Sequence, residues 1–244
     1  MPNHLPRGEA DRGRITSGLA RNVFVERALE FVRGELPKWR DDPTRPAEES
    51  EERLNAQLCK YLNVAARETF PMVCFHHEEK QAQRRRVDFS ALPSENHFIG
   101  ATFYSIYDPV IVFEGKRLPP PTRDRQREYV TGGELKSGGI QRFKLGLHGA
   151  RQNLAVLIGY IQGGSLREWF DEINKWIRDL ESSSRSIHEK WSTKERLTDF
   201  VEDALKKIAY SRSLHPRVGD VLTPNIQLRH LWLHMIGPKC SVLK

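Results

Sequence analysis

Residues 109–118 read PVIVFEGKRL. Val110 to Phe113 is an apolar, largely β-branched run of strand length that turns abruptly charged at Glu114. On a half-solvated strand charged residues would alternate with apolar ones; here they follow the run, so a solvated face does not account for them. Side chains alternate across a strand, which puts Glu114 and Lys116 on one face and Gly115 on the other. The stretch therefore predicts a strand that delivers a carboxylate and an ammonium to one place.

Similar patterns lie on both sides. RRRVDFSAL (84–92) alternates and carries Asp88 between Val87 and Phe89. MVCFHHE (72–78) reads as a strand, and LAVLIGYIQ (154–162) as a buried central one. Residues 72–77, 85–91, 109–117 and 154–162 are expected in one mixed sheet, with Asp88 and Glu114 on adjacent strands. Before them, Val23 to Leu36 has helical spacing and is expected to end at Pro37. A second helix is expected from Pro46. Glu48, Glu49, Glu51 and Glu52 load its start, where the helix dipole favours anions, and Leu54, Leu58, Tyr61, Leu62 and Ala65 form its buried stripe. Downstream come a Pro- and Gly-rich loop (118–139), a short helix (140–147) and an apolar stripe from Leu166 to Leu180 at helical spacing. SSSRS (182–186) interrupts. A further helix is expected from Thr193 to Ala209, then a strand in IQLRHLWLHMI (226–236). Interleaved strands and helices predict an α/β/α sandwich around one mixed central sheet.

Composition narrows the function classes. Hydrophobic residues make up 38% of the chain and charged residues 29%, the balance of a globular protein. The net charge of +7 favours a polyanionic partner, because contacting phosphates releases condensed counterions. Cys59, Cys74 and Cys240 are odd in number and form no C-x-x-C pair, which points away from a disulfide framework or a cysteine zinc site. No apolar run has a spanning length and the N-terminus has no apolar core, so a cytoplasmic protein without membrane contact is expected. His76 and His77 are strand neighbours that face opposite ways, and His230 and His234 lack a third ligand, so neither pair predicts zinc. No Walker loop, G-x-G-x-x-G or G-x-S-x-G pattern is present.

The chemistry lies with Asp88, Glu114 and Lys116. Two carboxylates offer hard oxygen ligands to Mg²⁺, which retains several waters, and a nearby lysine can orient or help deprotonate an attacking water. Hydrolysis of a phosphodiester needs such a set: a nucleophile, a clamp on the phosphate and charge neutralisation.

The order Asp88, then Glu114-Gly115-Lys116, resembles the PD-(D/E)XK, or restriction-endonuclease-like, nuclease superfamily. Val87 stands where the eponymous proline would be. FEGKRL, REYVTGG, GGIQRFKLGLHG and LAVLIGYIQ in succession are similar to a pattern in uncharacterised bacterial, defence-type members, with a longer Gly-rich TGGELKSGG here. The resemblance covers roughly residues 46–165. It implies a restriction-endonuclease-like fold, Asp88 and Glu114 as metal ligands, and Lys116 as the catalytic lysine. It also implies a helix glutamate, Glu51 or the neighbouring Glu52. Gln141 and Arg142, opening the following helix, are implied to face the site or the scissile phosphate. Arg84, Arg85 and Arg86 are a candidate phosphate stripe.

The implied function is a Mg²⁺-dependent endonuclease acting on DNA, with Mn²⁺ able to substitute, in defence against foreign DNA. Residues 1–20 are expected to be a flexible basic arm. Residues 21–244 are expected to be one nuclease domain with a core at about 46–165 and a C-terminal helical and strand extension. A homodimer or a partner protein of a defence complex would fit the cutting of two strands. The alternatives are a catalytically inactive nuclease-fold subunit that binds nucleic acid or builds a complex, and a phosphohydrolase on another α/β fold.

Overall fold

The computed structural model describes residues 20–48, 50–80, 85–183 and 190–235. Residues 1–19 of the proposed N-terminal arm, Arg84 and Cys240 lie outside them. In chain order the elements are helices α1 (Arg21–Asp41) and α2 (Glu51–Thr69) and strands β1 (Val73–Lys80), β2 (Arg86–Pro93), β3 (His97–Ile99), β4 (Thr102–Tyr104) and β5 (Ile111–Leu118). Then follow α3 (Gly139–Lys144), β6 (Leu154–Ile161), α4 (Leu166–Ser183), β7 (Thr198–Asp203), β8 (Ile208–Pro216) and β9 (Asn225–His234).

Seven strands form one mixed sheet in the order β1-β2-β5-β6-β9-β8-β7. β5–β6 and β6–β9 are parallel and the other neighbours antiparallel. The four expected strands all belong to it, with β2 and β5 adjacent. Strand alternation divides the core into two apolar clusters. Ile111, Phe113, Val156, Ile158 and Tyr160 pack with α1 and α2 on one face. Val112, Ala155, Leu157 and Ile161 pack with Ile140 and Phe143 of α3 and Ile173, Trp176 and Ile177 of α4 on the other. Among the described residues, no helix is long and apolar enough to cross a membrane.

Several expectations give way. The stretch expected as a helix from Thr193 to Ala209 is a short 3-10 turn (Thr193–Glu195), then β7, a turn and the start of β8. Leu197, Phe200, Val201, Ala204, Leu205 and Ile208 do fit helical spacing, yet Leu205 is 96% exposed and Lys207 sits at φ 53° in the turn. The exposed edge of β9 decides the outcome: β8 pairs with it from Ile208↔Leu233 to Pro216↔Asn225, satisfying a long row of backbone groups that a helix would leave open. α1 runs through Pro37 to Asp41, because Trp39 is held in the core against Tyr160, with ring centroids 6.0 Å apart. α2 begins at Glu51 rather than at Pro46; Glu48 lies before it and pairs with Arg53. The β3–β4 hairpin, absent from the sequence reading, presents an exposed edge-to-face pair, Phe98 and Phe103.

Candidate active site at the opening between two strands

The β2–β5 ladder ends at Phe89↔Phe113. One step further on, the antiparallel register sets Asp88 opposite Glu114, but the strands no longer share backbone hydrogen bonds there. The Gly115 N–H instead donates to Asp88 Oδ2 at 2.7 Å. Gly115 is required by close packing: a Cβ there would stand 2.0 Å from Asn55 Oδ1 and 2.9 Å from the Tyr160 ring. Asn55 belongs to α2 and accepts from the Tyr160 hydroxyl at 2.7 Å. That contact fixes the phase of α2. Glu51, one turn before Asn55, is thereby directed into the gap that β2 has left. Lys116 Nζ donates to Glu51 Oε1 at 2.6 Å, and the Arg117 N–H to Glu51 Oε2 at 3.2 Å. Glu52 is exposed, so of the two glutamates left open by the sequence Glu51 is the one beside Lys116.

Glu114 is fully buried and ringed by basic groups. Its Oε1 accepts from Arg142 NH1 at 2.5 Å and lies 3.2 Å from Lys116 Nζ. Its Oε2 lies 3.1 Å from Nδ1 of His148, on the loop after α3. Burial alone would push the Glu114 carboxyl up, but the charges of Lys116, His148 and Arg142 outweigh it and hold the group well below the usual carboxylate range. Lys116 is 4% exposed. Burial pushes its pKa down, yet Glu114, Glu51 and Asp88 together raise it above the ordinary lysine value. Asp88 goes the other way: burial, with the Glu114 charge added, raises its carboxyl well above the usual range, against the pull of Lys116 and the Gly115 N–H.

Asp88 therefore costs stability in the metal-free chain. A carboxyl whose folded pKa exceeds its unfolded value favours the fold only at low pH, and penalises it as pH rises past the unfolded value of about 4. Asp88→Asn keeps an oxygen for the Gly115 N–H and removes the charge. In a chelator at neutral pH it is expected to stabilise the fold by about 1 kcal/mol or more, raising the Tm by about 2–4 °C. A thermal melt checks this, and a lowered Tm would contradict it.

Of the sequence-predicted residues, Glu51, Asp88, Glu114, Lys116 and Arg142 converge. Gln141 does not face the site: its side chain spans Gly132 N and Gly133 O, both at 2.9 Å, and pins the preceding loop. Arg86, two residues before Asp88 at the turn end of the β1–β2 hairpin, is paired with Glu78, so its charge is engaged within the hairpin. Arg85 is partly buried just before β2. His76 pairs with Glu79, while His230 and His234 point to different surroundings, Tyr129 and Gly164.

Lys144 is 4% exposed and clamped to Glu195 at 2.6 and 2.5 Å. From there a buried chain runs on: Glu195 Oε2 to His215 Nδ1 (2.8 Å), and Ser213 Oγ between the Nε2 atoms of His215 (2.7 Å) and His230 (2.8 Å). It ends with His230 Nδ1 on the Tyr129 hydroxyl (2.8 Å), which accepts from Trp232 Nε1 (2.8 Å). Burial holds both imidazoles below the usual histidine range. These groups satisfy one another away from solvent, so the chain fixes α3, and with it Arg142, against β8 and β9. Neither this chain nor His148 is marked by any sequence spacing; the return of distant strands and loops assembles both.

Among the described residues, no three His, Cys, Asp or Glu side chains are grouped as a metal cage. What the site offers is a carboxylate pair, Asp88 and Glu114, with Glu51 across Lys116. Buried Glu114 Oε2 has no aligned hydrogen-bond donor. Comparisons with protein-family models, with curated proteins and with solved structures gave no match.

Proposed function

We propose that this chain is a Mg²⁺-dependent endonuclease of the restriction-endonuclease-like kind, hydrolysing DNA phosphodiester bonds at Asp88, Glu114 and Lys116, with a role in defence against foreign DNA. The observation that carries it is the convergence, where β2 and β5 part, of two facing carboxylates, a buried lysine and a helix glutamate. The donor set suits magnesium, which binds through one or two carboxylates and keeps its waters. The raised Asp88 carboxyl and the unaligned Glu114 Oε2 are the groups a divalent cation would relieve. When bound, the ion supplies charge neutralisation and activates water for attack on phosphorus.

The chain's own groups have distinct tasks. Lys116, held charged by Glu51 and Glu114, donates hydrogen bonds to a phosphate oxygen or the incoming water; kept protonated, it does not act as a base. Arg142 holds Glu114 through NH1, and its side chain stays partly open to solvent beside that carboxylate, so the guanidinium can meet a phosphate there. Cleavage of circular and linear DNA is the test. Mg²⁺ and Mn²⁺ are expected to support it, circular DNA to be cut as linear DNA is, and Ca²⁺ to bind without supporting cleavage. Cleavage undiminished in a chelator would refute the proposal.

A further inference from the structure

Glu114 Oε1 is held twice, by Arg142 and Lys116, whereas Oε2 is held by neither. A carboxylate rotates broadly about its last torsion, so fixing one oxygen leaves the other's direction open. Only His148 Nδ1 stands at ion-pair distance from Oε2, at 3.1 Å, and neither atom has an aligned hydrogen-bond partner. Both side chains are almost wholly buried, with His148 1% exposed and Glu114 0%.

The imidazole is itself held in place. The backbone N–H of His148 donates to the Arg142 carbonyl oxygen at 3.2 Å, and the ring meets Phe143 edge-on, with centroids 5.9 Å apart. Gly149 follows at φ 58°, and a Cβ there would come within 3.1 Å of Val112 and 3.4 Å of Phe143. The loop after α3 is thus packed so that one nitrogen lies against one oxygen of Glu114.

We propose that His148 is a positioning residue of this site: its Nδ1 sets the rotation of the Glu114 carboxylate, so that Glu114 and Asp88 meet a divalent cation together. This rests on the metal-dependent reading above. It extends that reading by placing the orientation of the ligand in a residue that touches neither cation nor substrate. Residues that orient a metal ligand commonly govern affinity by about 10–100-fold.

The test is a series at position 148, read by Mn²⁺ titration on the full chain, by melting temperature and by DNA cleavage. Asparagine carries its amide nitrogen where histidine carries Nδ1; glutamine carries its own where histidine carries Nε2; leucine carries none. His148→Leu and His148→Gln are expected to weaken Mn²⁺ binding by about 10–100-fold, while His148→Asn restores most of it. A filler of the core would behave otherwise, its melting temperature following side-chain bulk and its Mn²⁺ affinity staying put. Parental affinity in His148→Leu, or His148→Asn no better than His148→Leu, overturns the inference. If that happens while DNA is still cut, the nuclease reading stands without it. If the expected Mn²⁺ series holds but no variant nor the parent cuts DNA, the positioning role is supported and the nuclease reading fails. A parent that binds no Mn²⁺ overturns both.

Discussion

Glu114→Gln is expected to abolish DNA cleavage and divalent-ion binding, and to be the most destabilising single change in the site. Glutamine keeps the shape of the side chain but not its charge. Arg142 would then face a neutral amide, and Lys116 would keep only Glu51 as a close anionic partner. Breaking a buried ion pair by neutralising one partner costs about 3–5 kcal/mol, because the other charge is left desolvated. The melting temperature is therefore expected to fall by roughly 6–20 °C. Glu114→Gln and Asp88→Asn should move stability in opposite directions while both lose metal affinity. The cause is that Glu114 is surrounded by cations and Asp88 is burdened by burial and by Glu114. Two melts and two metal titrations check the pair. A Glu114→Gln chain with parental stability would show that the cation ring is not formed.

Lys116→Met is expected to reduce cleavage by about a hundredfold or more, the scale on which removing one oriented donor to a developing charge is felt. Methionine retains the stem and removes the ammonium. Because Lys116 is buried between Glu51 and Glu114, its loss is also expected to destabilise the fold by about 3 kcal/mol. The sign with pH follows from the raised lysine pKa. Stabilisation of this kind is complete below the unfolded value of about 10.4 and is lost only as pH rises through the folded value. The stability difference between parent and Lys116→Met should therefore stay constant from about pH 6 to 9. A difference that disappears within that range would mean that the ammonium is not charged there. Divalent-ion binding should survive the substitution, since lysine is not a ligand, and this separates Lys116→Met from Glu114→Gln.

Much of this centre is legible in the residues themselves. Asp88, Glu114 and Lys116 follow from strand alternation, because strand period and an abrupt change from apolar to charged are local properties. The choice between Glu51 and Glu52 is not local: it depends on the phase of α2, set by Asn55 packing onto Gly115 from a strand far along the chain. His148 is invisible for the same reason, since only the packing of the loop after α3 brings it to Glu114. Gln141 was misplaced because a polar residue opening a helix can face the site or the preceding loop, and Gly132 and Gly133 take it. Nothing local marks Lys144 as buried, because its partner, Glu195, lies far along the chain. β7 and β8 were hidden by a helix-like spacing that loses to the open edge of β9.

The central claim is that Asp88 and Glu114 form a divalent-ion site that hydrolyses DNA. It is tested most directly by incubating supercoiled plasmid with the parental chain and with Asp88→Asn, each with Mn²⁺ and each with a chelator. Nicked or linear DNA is expected only from the parental chain with Mn²⁺, while Asp88→Asn, folded and at least as stable, leaves the plasmid intact. Equal cleavage by both chains, cleavage in the chelator, or none from the parental chain with Mn²⁺ would contradict the account.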